Sequence, residues 1–220
     1  MKTSPTNSKY FISANELLND SFQLAALVED SGYIPDLVVG IWRGGGPIAI
    51  AVHEFFHYKG HELDHLPLRI TSYTGIGQQA EKIDLYGSEY FLERLFSSSE
   101  KVRRLLIVDD VFDSGRSLAS LLLTLESGLE SALESAPKAA PELQPQNQNQ
   151  NQNQPADLAL PEIRIACPWY KPANNKTSLT PDYYLHETDQ WLVFPHELMG
   201  LSEEEIKTGK AGTPIANPVD

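Results

Sequence analysis

Three carboxylates stand beside a turn suited to an anion in "LLIVDDVFDSGRSL", residues 105–118. The apolar run ends on Asp109 and Asp110, Asp113 follows, and Ser114, Gly115, Arg116 and Ser117 open what reads as a helix. A glycine-containing turn at a helix N-terminus presents several backbone N–H groups, and the helix dipole favours negative charge there. Ser hydroxyls and the Arg fork add donors, so the turn suits a phosphate monoester. Carboxylates beside phosphate alone would repel it. The arrangement becomes favourable when a polyol and a divalent cation separate the charges, with the acidic pair taking sugar hydroxyls or the cation.

A second stretch with chemical potential is "GIWRGGGPIA", residues 40–49. Its glycines let backbone approach a ligand closely, and Arg43 beside Gly44 offers a bidentate fork. Further on, "HEFFH" at residues 53–57 fits the H-E-x-x-H zinc template. It lies on the helix after the glycine loop with no evident third ligand, so a zinc site is not expected.

These residues need a scaffold. "SANELLNDSFQLAALVEDSGY" reads as a helix, with Ser13 as N-cap, Glu16 completing a capping box, and Leu17, Phe22, Leu24, Ala25 and Val28 as its apolar face. "PDLVVGIW" is a strand leading into the glycine loop, and "PIAIAVHEFFHY" is the helix after it. "LPLRITSY" is a strand, "TGIGQQAEKIDLYG" a loop, and "SEYFLERLF" a short helix. "RRLLIVDD" is a buried strand by its unbroken apolar run, and a helix follows from near Ser114. Strand and helix alternate, which implies an α/β fold on a parallel sheet with ligands where strands end and helices begin. Residues 1–135 thus hold the first helix and the core. Residues 136–160 are Pro-rich and then a Gln/Asn repeat, an expected disordered insert. Residues 161–209 carry the strand "EIRIACPWY", two strands of a small C-terminal subdomain and the helix "SEEEIKTG", and 210–220 read as a tail.

The chain has 220 residues and a net charge of −13, which argues against nonspecific nucleic-acid or anionic-membrane binding. Cys167 is the only cysteine, so no intrachain disulfide forms, and a reducing cytoplasmic location fits. No apolar run approaches the length of a membrane span, and the N-terminal "MKTSPTNSKYFISANELL" lacks an unbroken apolar core of signal-peptide length.

"VDDVFDSGRS" resembles the ribose-5-phosphate signature of the type I phosphoribosyltransferases. "LLIVDD" also opens response-regulator receiver domains, but there the acids end the first strand, whereas here a complete α/β unit precedes them. The glycine loop at Arg43–Gly44 resembles the diphosphate-binding loop of purine phosphoribosyltransferases, in which the equivalent of the Trp42–Arg43 peptide is often cis or strained. "TSYTGIGQQAEKIDLYG" sits where that family has a flexible hood loop. Gln79 stands near an arginine of the bacterial xanthine-guanine enzymes, and Lys82 is the candidate substitute.

"WYKPANNKTSLTPDYYLHETDQWLVFPHELMG", residues 169–200, resembles the nucleobase-binding part of the bacterial xanthine-guanine enzymes. The resemblance implies 5-phosphoribosyl 1-diphosphate (PRPP) and an oxopurine as ligands, Mg²⁺ as cofactor, and a homodimer or homotetramer. It implies that Lys171 reads the purine 6-oxo group, Trp191 stacks on the base and the Leu192 backbone reads its other edge. Asp113 would serve the N7 proton. Asp109 and Asp110 would hold ribose hydroxyls, Ser114, Gly115, Arg116 and Ser117 the 5′-phosphate, and Arg43 and Gly44 the diphosphate. Metal would fall to Asp110 and Glu197. Here His196 and Glu197 depart from the family's aromatic-Asp pair. The implied activity is oxopurine salvage. A PRPP-sensing regulator without catalysis, or an enzyme for another nucleobase, are the alternatives.

Overall fold

The computed structural model describes residues 9–73, 82–96, 101–135 and 158–216. Residues 74–81 of the expected hood loop and residues 136–157 of the expected 136–160 insert lie outside the described residues.

Helix α1 (Ala14–Asp30) starts at Ser13, whose side chain accepts from the Glu16 amide while the Glu16 carboxylate accepts from the Ser13 amide, the expected capping box. Its buried face is Leu17, Asp20, Ser21, Leu24, Ala25 and Val28, and Phe22 is exposed instead. Strand β2 (Leu37–Trp42), helix α2 (Gly45–Tyr58), strand β3 (Asp64–Tyr73), helix α3 (Ser88–Phe96), strand β5 (Arg104–Val108) and helix α4 (Arg116–Ser135) follow the expected order. Lys82–Tyr86 forms strand β4, antiparallel to β3, where the sequence suggested only loop.

The main sheet runs β4-β3-β2-β5-β7, with β7 spanning Glu162–Tyr170. The β2–β3, β2–β5 and β5–β7 ladders are parallel. Side chains alternate between two cores. Val38, Leu106, Val108 and Ala166 pack with Leu24, Val28, Val52 and Phe56 of α1 and α2. Leu37, Val39, Leu105, Ile107 and Cys167 pack on the other face with Phe91, Leu121 and Leu125 of α3 and α4. Both faces are covered, which explains the continuous apolar runs of β2 and β5.

The strand β8 (Tyr183–Glu187) pairs in parallel with β7 and so extends the main sheet. Strand β9 (Trp191–Val193) pairs instead with β1 (Lys9–Phe11), forming a separate two-stranded sheet. Helix α5 (Glu203–Gly209) follows, and Lys210 and Ala216 beyond it are buried.

The insert joins the end of α4 to the start of β7. Glu162 at that start pairs with Arg104, at the opposite end of β5 from Asp109. Deleting residues 138–156 and closing with a short Gly/Ser linker is therefore expected to leave kcat/KM within about threefold. Each doubling of loop length costs only about 0.6 kcal/mol. Initial rates and a melting curve of the deletion check this, and loss of folding would refute it.

Candidate active site

Strand β6 (Val111–Phe112) pairs with β7 in the register that β5 began: Val108 opposes Ala166 and Val111 opposes Trp169. One strand line is thus interrupted at Asp109–Asp110, where the acids leave the ladder. Asp109 keeps one bond, from its amide to Ala166 O at 3.1 Å, and its Oδ1 accepts from the Asp110 amide at 2.9 Å. Burial raises the Asp109 carboxyl well above the usual range, with the Asp110 charge adding to it. Burial also pushes Asp110 up, to about 6, and Glu197 contributes next.

The glycine loop closes on this pair. The Trp42–Arg43 peptide is cis, as the resemblance implied. A side chain at Gly44 would collide with the Asp110 carboxylate, and one at Gly45 with the carbonyl of Val108, so only glycine lets the loop lie against the acidic strand end. His196 joins from the C-terminal segment, with Nε2 4.0 Å from Asp110 Oδ2. Burial lowers its pKa; Glu197 opposes that and the nearby Arg43 cation adds to it. Arg43, Gly44, Asp110, His196 and Glu197 therefore converge.

Beyond β6, Asp109, Asp113, Ser114, Gly115 and Ser117 line a cavity of about 90 Å³ at the start of α4. Gly115 has φ +74°, and its Cβ position is filled by Thr177 and the Phe112 ring. The Lys176 amide donates to Ser114 O at 3.0 Å. The loop after Lys171 thus buttresses the turn, an interaction across the insert that no local pattern announces. Arg116, also expected at the turn, is exposed at the first position of α4.

Lys171 follows β7, and its amide donates to Phe112 O at 2.9 Å. Its side chain is buried, and Nζ lies 3.8 Å from Asp113 Oδ2. The separately expected base-reading lysine and proton-handling acid are thus neighbours. Leu192 is buried in β9, while Trp191 is 53% exposed. Sequence reasoning missed Lys9, whose Nζ lies 5.4 Å from the Trp191 ring centroid and pairs with Glu205 at 2.8 Å. Only the β1–β9 pairing, between the two ends of the chain, brings them together.

Among the described residues no group of three or more His, Cys, Asp or Glu side chains is placed to hold a metal by itself. This includes "HEFFH", where His53 and His57 stack at 6.2 Å. Asp110 with Glu197 offers hard oxygen donors whose charges already disfavour each other. That set fits Mg²⁺, which takes one or two carboxylates and completes its shell with water and substrate phosphates.

No protein-family model matches the chain, and no curated protein matches its sequence. Solved structures match its fold. A purine phosphoribosyltransferase from Pyrococcus horikoshii superimposes with a TM-score of 0.58 at 22% identity, over 88% of this chain and 97% of that one. The xanthine-guanine-hypoxanthine phosphoribosyltransferase of Helicobacter pylori gives 0.56 at 19%, over 85% and 92%. A hypothetical protein from Neisseria gonorrhoeae with bound ppGpp gives 0.57 at 16%, over 94% and 98%. The fold is thus the mainly parallel α/β fold of the type I phosphoribosyltransferases. No helix among the described residues is long and apolar enough to cross a membrane.

Proposed function

We propose that the protein transfers the 5-phosphoribosyl group of PRPP to N9 of an oxopurine (xanthine, guanine or hypoxanthine) and releases diphosphate, a purine-salvage reaction. The observation that carries this reading is the meeting of Lys171 with Asp113 at 3.8 Å, Asp113 itself lining the cavity at the Ser114–Ser117 turn. Those two groups are of the types needed at the 6-oxo and N7 positions of one purine.

In this reading the Ser114–Ser117 turn holds the 5′-phosphate, and Asp109 and Asp110 take ribose hydroxyls. Arg43 and the Gly44 backbone face the diphosphate, and Trp191 stacks on the base whose edge the Leu192 backbone reads. Asp113 holds the N7 proton as N9 attacks C1′ and the C1′–diphosphate bond breaks. Asp110 and Glu197 would hold Mg²⁺, which when bound offsets charge on the diphosphate. Most acceleration comes from positioning and from donors aimed at the leaving group. A second reading, a nucleotide- or PRPP-binding regulator, draws on the ppGpp bound to the Neisseria neighbour. Steady diphosphate release with a purine separates the two.

Lys171 gives the test of the acceptor. An ammonium has donors only, so it pairs with a 6-oxo group and opposes the 6-amino group of adenine. A charged hydrogen bond is worth about 1.5–3 kcal/mol. Lys171→Ala should therefore lose about 10- to 100-fold in kcat/KM for oxopurines, with PRPP affinity little changed and wild-type turnover of adenine negligible. Initial rates with each base check it. Equal use of adenine and guanine by the wild type, or an indifferent Lys171→Ala, would show that the base is read elsewhere.

A further inference from the structure

Lys210 is 7% exposed, and its ammonium donates to backbone carbonyls: Phe194 O at 2.6 Å and Pro195 O at 3.3 Å. An ammonium is costly to bury, and a residue such as methionine would fill the space without that cost. The neighbourhood is built around it. Gly209 packs against the Phe11 ring, leaving no room for a side chain, and Lys210 Nζ lies 5.9 Å from the same ring. The Lys210 amide donates to Ile206 O at 3.0 Å, and the Thr213 hydroxyl donates to Lys210 O at 2.7 Å. Helix α5, which delivers Lys210, is capped by Ser202 and tied to β1 through Lys9–Glu205.

The two carbonyls belong to a turn closed on itself. The Glu197 amide donates to Phe194 O at 3.0 Å, and the Phe194 amide donates to Glu197 Oε2 at 3.0 Å. The His196 ring stacks on Phe194 at 5.9 Å and faces Asp110. Val193, just before the turn, is held by the Ile12 amide at 3.0 Å. Phe194 O thus accepts twice, and one of its donors is charged; such bonds are about twice as strong as neutral ones.

We propose that Lys210 is a positioning residue: by donating to Phe194 O and Pro195 O it fixes the 194–197 turn, which sets the base-reading edge at Leu192 and holds Glu197 beside Asp110. Lys210 itself touches no reacting atom. The proposal rests on the functional reading above, and one arm of its test does not depend on turnover.

Lys210→Met keeps the aliphatic stem and removes the donors; Lys210→Gln keeps a neutral donor. Amide hydrogen exchange on Lys210→Met should accelerate at least tenfold at Phe194 and Glu197, with β5 amides unchanged, and Lys210→Gln should recover most of the protection. In the kinetic arm, base KM should rise about tenfold in Lys210→Met, while the Kd of ribose 5-phosphate, whose expected turn lies at Ser114–Ser117, stays within twofold. Unchanged exchange at 194 and 197, equal acceleration in β5, or base KM and ribose 5-phosphate Kd rising together would each overturn the proposal. A wild type inactive with every base would sink the functional reading, and the exchange arm would then decide the positioning role alone.

Discussion

Replacing Asp113 with Asn is expected to cut turnover by about 10²–10⁴-fold, the usual scale for losing acid–base help, while PRPP still binds. Asp113 follows β6 and lines the cavity at the Ser114–Ser117 turn, and its carboxylate pairs with Lys171 Nζ at 3.8 Å. Its side chain is 47% exposed and so open to a ligand from solvent. Asn preserves the shape but removes the negative charge, and with it both the capacity to take a proton and the attraction to Lys171 Nζ. The expected 5′-phosphate partners, Ser114 to Ser117, keep their side chains in this variant. Steady-state rates and calorimetric PRPP binding check the two halves separately. An Asp113→Asn enzyme within a factor of two of wild type would remove Asp113 from the reaction, and lost PRPP binding would make it a ligand-site residue instead.

The core strands and their site-bearing ends were legible because their signals are local. The apolar runs of β2 and β5 reflect covered faces, and the acids and glycines mark where each strand gives way to a helix. Ser13 and Glu16 fix the start of α1 within a few residues of chain. Features that depend on distant partners were not legible. Phe22 was expected on the buried face of α1, but Asp20 is buried there because His186, far along the chain, meets it at 2.9 Å. Ser21 is buried beside it, its hydroxyl satisfied locally by donating to Leu17 O at 2.6 Å. β1 is too short to show a period and exists through β9. β4 was hidden by its polar, glycine-flanked setting and exists through β3. At the site, the glycine loop and the acidic motif were each readable, whereas their contact at Gly44 and Asp110 is a product of the parallel β2–β5 ladder. The role argued for Lys210 had no sequence signal, because a lysine after a short acidic helix reads as solvent-exposed.

Asp110→Asn should make the ligand-free protein more stable at neutral pH and nearly inactive. The Asp110 carboxyl is raised to about 6 by burial first and by Glu197 second, and its side chain is 14% exposed. An unfolded Asp titrates near 3.9. Between those values the native state binds more protons than the unfolded chain, so stability falls as pH rises through that window and stays lower above it. A shift of about two units corresponds to about 3 kcal/mol. Asn keeps the shape, carries no charge, and also relieves Asp109 of its nearest charged neighbour. At about 2–4 °C per kcal/mol for a chain of this size, Tm at pH 7.5 should rise by about 6–12 °C. The gain should shrink towards pH 4, where the wild-type carboxyl is protonated in the native state. In the proposed reading the variant forfeits the charge that Asp110 would present to ribose hydroxyls and Mg²⁺. Added Mg²⁺ and PRPP should therefore raise the wild-type Tm by mass action and leave the variant's unchanged. The acidic pair is then a stability cost that ligand binding offsets, as expected where a site is built for function. A variant less stable than wild type at pH 7.5, or one still stabilised by Mg²⁺ and PRPP, would mean that Asp110 supports the fold and not the ligand.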